Sequence, residues 1–205
     1  MSMIYKYIGQ QFKNPTGFGG KIATLIMNYQ NRKQYQAVVE NINIRESDTI
    51  LDMGFGNGYL IRELSKQNPQ KIYGIDISQD MLKTTAKKNR HKIEQEKIQL
   101  FVADVHNMPL ADASIDKAYT VNTVYFLEDV HQVLVEIQRI LKPGGIFFNV
   151  LYLKEWLEKL SVTRYGYSKY TAEQIEKITV DSGLKVEQIL EIQPGKSICI
   201  IAKKI

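Results

Sequence analysis

Two hydrophobic rhythms alternate along this chain. Apolar runs of strand length lie at about Asp48–Met53, Lys71–Asp76, Ile98–Ala103, Ser114–Asn122 and Ile146–Leu153. Between them the period changes. A helix is expected over about Asn57–Gln67, Met81, Leu82, Thr85 and Ala86 share one helical face, and Val130, Val133, Leu134, Ile137, Ile140 and Leu141 form one apolar stripe. Strands that alternate with helices predict an open, largely parallel α/β sheet. Thr171-Ala172-Glu173-Gln174 reads as a capping box opening a helix that Gly183 closes. Two last strands, about Leu184–Ile192 and Ser197–Lys203, join through Gln193-Pro194-Gly195-Lys196 as a hairpin. Residues 154–169 are the least regular stretch and have the length of a lid.

The first 45 residues precede this alternation. Asn14-Pro15-Thr16-Gly17-Phe18-Gly19-Gly20 is turn chemistry. Ile22, Leu25, Ile26 and Tyr29 then keep helical spacing, as do Tyr35, Val38, Val39 and Ile42. Two helices joined near Asn28–Asn31 are expected, as an N-terminal cap (1–45) over a main domain (46–205). That cap could enclose a substrate or cover a sheet edge.

Candidate chemistry concentrates where the first strand ends. Ile50-Leu51-Asp52-Met53-Gly54-Phe55-Gly56-Asn57-Gly58 sets an acid and three alternate glycines between a strand and a helix. Glycine tolerates φ > 0 and lets a ligand lie against the backbone, while the helix behind it offers unpaired N–H groups. The spacing D-x-G-x-G-x-G lacks the third glycine of the dinucleotide fingerprint. An acid ahead of the glycines repels a diphosphate and suits a cofactor that carries an ammonium group. The second strand ends in Asp76, 18 residues past Gly58, near the offset at which a carboxylate meets a ribose. Ser78 caps the helix that follows.

These residues resemble the class I S-adenosylmethionine (SAM) dependent methyltransferases, and so do Ala103-Asp104-Val105 with Met108-Pro109, the Leu141-Lys142-Pro143-Gly144-Gly145 ending and the terminal hairpin. The similarity covers about three quarters of the chain and looks most like the small-molecule branch that includes quinone-biosynthesis C-methyltransferases. It implies a Rossmann-like, seven-stranded, mostly parallel sheet with an antiparallel C-terminal strand and helices on both faces. The implied cofactor is SAM. Its implied contacts are Asp52, Gly54, Gly56 and Gly58 at the loop, Asp76, Ile77 and Met81 at the ribose and adenine, Asp104 and Val105 at the adenine, and Asn122 beside the transferred methyl. No catalytic base stands out; Tyr125, Tyr165, His106 and His131 are the candidates. Amino-group methylases of adenine in nucleic acids carry an Asn/Asp-Pro-Pro-aromatic motif at Asn122, and this chain has no proline there. The expected reaction is methyl transfer to a small-molecule acceptor. An RNA methyltransferase and a SAM-binding protein without transferase activity are the alternatives.

Composition narrows this picture in two places. No run approaches a membrane span, the first residues lack the apolar core of a signal peptide, and Cys199 alone makes neither a disulfide framework nor a cysteine-cluster metal site. A cytoplasmic setting is expected. The net charge of +5 lies wholly in residues 1–45, where Lys6, Lys13, Lys21, Arg32, Lys33 and Arg45 face only Glu40. Such a segment is either a solvated face or an attraction for an anionic partner. The Lys87–Lys92 cluster lacks the interleaved aromatics of a base-stacking surface, so a nucleic-acid role for it is not expected. Oligomeric state is not legible.

Overall fold

A computed structural model describes residues 29–205. The first of the two expected N-terminal helices and the basic residues up to Lys21 lie outside the described residues. The second helix, α1 (Arg32–Asn41), is present. The chain then alternates β1 (Thr49–Met53), α2 (Tyr59–Leu64, extended by a 3-10 turn over Ser65–Gln67), β2 (Lys71–Asp76), α3 (Gln79–Lys88), α4 (Arg90–Glu94), β3 (Ile98–Val102), β4 (Ile115–Val121), α5 (Val130–Ile140) and β5 (Leu141–Tyr152). A short α6 (Lys154–Leu157), α7 (Ala172–Asp181), β6 (Leu184–Gln193) and β7 (Ser197–Lys204) complete it.

The seven strands form one sheet in the order β3-β2-β1-β4-β5-β7-β6. β1 to β5 pair in parallel, and β7 runs antiparallel to both β5 and β6. Successive residues feed opposite faces, as the pleat requires. Ile50 and Phe148 pack with α1, α2 and α3 residues such as Val38, Leu60 and Met81, whereas Leu51 and Phe147 pack with α5 residues such as Val133, Leu134 and Ile137. The α5 stripe is buried from Val130 to Ile140. Both faces are therefore covered, which is why the central strands are nearly all apolar.

Local signals act where they were read. Ser78 Oγ accepts the Met81 N–H at 3.4 Å, and Thr171 with Gln174 closes a reciprocal capping box. Gly183 (φ +88°) follows α7 in the left-handed region. Lys142-Pro143-Gly144-Gly145 does not simply separate α5 from β5, however. Leu141 already pairs with Ile115, and the ladder resumes at Lys117 with Ile146, so the four residues bulge out of a strand that has begun. In residues 154–169 the backbone forms α6 and a 3-10 turn at Ser161–Thr163, and the Ser168 N–H then bonds to Tyr125 O at 2.9 Å. α1 packs against β4, β5, β6 and β7, and Gln34 donates to both Ser197 Oγ and Gln193 Oε1 at 3.2 Å.

Candidate active site

The carboxyl ends of β1 and β4 are adjacent, while the chain leaves β1 toward β2 and β4 toward β5 on the other side. An open α/β sheet binds ligands at such a switch point. A cleft of 310 Å³ opens there, and its walls include Asp52, Gly54, Gly56 and Asn57 from the first loop. Asp76, Ile77 and Met81 follow β2, and Asp104, Val105 and His106 follow β3. Asn122, Thr123, Phe126 and Leu127 follow β4, and Asn31 and Tyr35 reach in from the start of α1.

Each glycine of the loop does a different job. Gly54 (φ +78°) lies so close to Thr123 that a Cβ would stand 2.4 Å from Oγ1. Gly56 (φ +50°) meets nothing within 4 Å, the open space a ligand needs. Gly58 is absent from the cleft wall; a Cβ there would stand 2.3 Å from a Thr85 methyl, so this glycine packs the loop onto α3. Thr85 also donates to Gly56 O at 3.0 Å, and Lys88 to Asn57 O at 3.3 Å. The loop is thus held from behind by α3.

Two carboxylates face this loop. Asp52 is buried, and burial pushes its pKa up to about 8; the Tyr119 hydroxyl, donating at 2.9 Å, works against that rise, and the neighbouring Asp76 charge adds to it. Asp76 is also raised by burial, against three backbone N–H groups. It accepts from Gly56 N at one oxygen and from Ser78 N at the other, each at 2.8 Å. One acid is buried and the other half-buried, and a positive ligand would relieve both. Asp104 and His106 pair at 2.6 Å, and the same carboxylate takes the His106 N–H at 2.9 Å. Those bonds hold Asp104 below the usual carboxylate range.

Residues 51–149 match the methyltransferase domain family Methyltransf_11. The uncharacterized methyltransferase YdaC of Bacillus subtilis is 29% identical over 188 residues, covering 89% of this chain and 98% of its own. The chain carries a SAM-dependent methyltransferase domain. Its cofactor is SAM, and the open glycine loop facing the buried Asp52 and half-buried Asp76 suits a cationic nucleoside. Similar folds include a putative methyltransferase of Haloferax volcanii solved with the Trm112 activator (TM-score 0.72, 22% identity, 86% of this chain and 91% of that one). Another is the geranyl diphosphate C-methyltransferase of Streptomyces coelicolor A3(2) (TM-score 0.74, 13% identity, 84% and 77%). Several other curated relatives are longer, and the chain spans 18% to 61% of their length.

Within this methyltransferase the four residues considered as bases are scattered. Of them, His106 is in the cleft wall, on the adjoining loop after β3. Tyr125 lies behind the wall, buried, with its hydroxyl raised well above its ordinary pKa by that burial. Tyr165 is exposed, and His131 sits on the outer side of α5 near Asp181 O. Sequence reading placed Thr123 and Phe126, in the stretch 121–126, at the methyl-facing position, and missed Tyr119, Thr85, Asn31 and Tyr35. Tyr119 meets Asp52 as its parallel-register partner, a pairing that exists only in the folded sheet.

Proposed function

We propose that this methyltransferase acts on a small molecule that enters beside Asn122. The observation that carries this reading is the wall around that end of the cleft. Asn31, Tyr35, Thr123, Phe126 and Leu127 line it together with the acidic Glu128, and Asp52 is buried beneath the loop. Such an apolar wall with a few amides suits a small molecule better than a phosphate backbone. When bound, SAM supplies an electrophilic methyl on a positively charged sulfur, so the hard chemistry is the cofactor's. The chain's part is to orient. Asp52, Gly54 and Gly56 would hold the methionine end. Asp76, Ile77 and Met81 would hold the ribose and adenine, with Asp104 and Val105 at the far edge of the adenine. Alignment of nucleophile, methyl and sulfur supplies up to ~7–11 kcal/mol of the barrier, which fits a wall that offers no clear base. A cytoplasmic setting belongs to the same reading, supported by the buried, unpaired Cys199.

One feature favours RNA instead: the positive excess of residues 1–45, of which Arg32, Lys33 and Arg45 are described and exposed. The two readings separate in one assay. S-adenosylhomocysteine release is measured with a panel of phenols, enolisable ketones and amines, and separately with total RNA across a salt series. Turnover of a small molecule with salt-insensitive or absent RNA binding is expected. RNA methylation with a steep salt dependence and an inert panel would overturn the proposal. In parallel, Asp76→Ala should weaken SAM binding by at least about tenfold by calorimetry, through loss of charge-assisted bonds to the ribose. Unchanged affinity would remove Asp76 from that role.

A further inference from the structure

Asn122 combines two oddities at the carboxyl end of β4. Its backbone is left-handed (φ +59°), a conformation uncommon for any residue but glycine, with asparagine among the tolerant few. Its side-chain Nδ2 is buried and has no hydrogen-bond partner among the described residues. A donor left in that state costs roughly 1–3 kcal/mol, and such groups in native structures call for a specific explanation. The backbone position itself is firmly held, since Asn122 N donates to Val150 O at 2.8 Å.

The neighbours decide which way the amide faces. Tyr125 Oη accepts the Tyr152 backbone N–H. The hydroxyl then donates to Asn122 Oδ1, with Oη 2.9 Å from it, nearer than the 3.3 Å to Tyr152 O. Burial keeps Tyr125 a neutral phenol that retains this proton, and its ring is fixed against Phe126 and Tyr167 at centroid distances of 6.1 and 5.8 Å. Asn122 Oδ1 is therefore occupied from behind, and what the residue has left to offer the cleft is an N–H donor. An amine spends its lone pair on the methyl carbon and would leave this donor unpaired.

We infer that Asn122 donates a hydrogen bond to an oxygen of the methyl acceptor, and that Tyr125 is the positioning residue that turns the amide for this task. The acceptor class follows: a phenolate, an enolate or another molecule bearing an electron-rich oxygen at or beside the atom that is methylated, not an amine. This rests on the small-molecule reading above and narrows it. Such an acceptor enters as its anion, its own electron pair forms the new bond to the methyl carbon, and the C–S pair stays on sulfur. No proton moves in that step, so none of the scattered histidines and tyrosines is needed as a base. The Nδ2–H steadies the oxygen while its charge is being spent.

The test uses the full chain and the same panel, with aniline-type amines matched in shape to the phenols. Oxygen-bearing members should be turned over and the amines should not. Asn122→Asp keeps a residue that tolerates the left-handed backbone but replaces the donor by an acceptor, and Asn122→Gly keeps the backbone and deletes the amide. Both should lower kcat/KM by roughly 10- to 100-fold, the range for losing one hydrogen bond to a charged oxygen, with SAM affinity by calorimetry changed much less. Tyr125→Phe should lower kcat/KM by a smaller factor. A readout independent of turnover is the 15N side-chain amide resonance of Asn122, assigned by its loss in Asn122→Asp. With S-adenosylhomocysteine bound, it should shift on adding phenol and stay still on adding aniline. Methylation of amines, or unaltered turnover of phenols by both Asn122 variants, would overturn the inference and leave the small-molecule reading standing. An inert panel would overturn both.

Discussion

The two rims of the sheet carry similar residue types and use them in opposite ways. At the amino rim, Asp48 accepts from Lys117 Nζ and Arg45 N, and Asp116 accepts from Lys142 Nζ and Thr49 N. Burial alone would raise Asp48, but the Lys117 and Arg45 bonds outweigh it and hold this carboxyl below its ordinary value. At the carboxyl rim, Asp52 and Asp76 have no basic partner among their hydrogen bonds and are both raised by burial. Asn122 there keeps a donor with no partner among the described residues. Volume does not mark the difference: the amino rim encloses 470 Å³ against 310 Å³ at the carboxyl rim. What separates the two is satisfaction. One rim has completed its polar bonds within the chain and serves stability; the other has left bonds open for ligands to complete.

Changes that respect this division should split cleanly between stability and binding. The largest effect on stability is expected from Lys117→Ala, which strands the buried Asp48 carboxylate and should cost about 3–5 kcal/mol in chemical denaturation while SAM affinity of the folded fraction stays unchanged. A matching loss of affinity would break the comparison. Gly54→Ala forces a left-handed alanine against Thr123; SAM affinity should fall roughly 30-fold, near 2 kcal/mol, with a smaller loss in unfolding free energy.

Titration of Asp52 sharpens the contrast further. Its pKa is about 8 in the folded chain against an ordinary 3.8, so between these values the folded state holds a proton that the unfolded state has lost. Stability therefore falls as pH rises through that window. The melting temperature of the native chain, relative to Asp52→Asn, should decline from pH 5 to pH 8 and level off above. SAM affinity should rise over the upper part of the same range, as the carboxylate ionises opposite a cationic ligand. A difference that stays flat would mean Asp52 is already ionised in the folded chain. The smallest effect is expected from Lys142→Ala at the amino rim. That ion pair is partly exposed, and Asp116 retains the Thr49 N–H, so the loss should be under about 1 kcal/mol.

Much of the cleft wall was legible because the residues that form it lie close together in the chain. Asp52 and the glycines are neighbours in the chain, and Asp76 lies one strand and one helix further on, an offset set by the lengths of those elements. The caps at Ser78 and Thr171 act within three residues. Tyr119, Thr85 and Tyr125 left little trace, because each acts through a contact across the sheet or between helices. The Tyr119 hydroxyl reaches Asp52 only because β4 lies beside β1 in one register.

The sequence by itself determined the alternation of elements, the mostly parallel sheet with its final hairpin, and the family of the cofactor, since these follow from periodicity and from residues close together in the chain. Only the tertiary structure decided that Gly58 packs on α3 while Gly56 faces the cleft, that Tyr125 stands behind the wall, and that Asn122 has a donor to spare. The physical reason is that a polar group's role depends on which of its bonds are already made. Those partners come from strands and helices that are distant in the chain and meet only on folding.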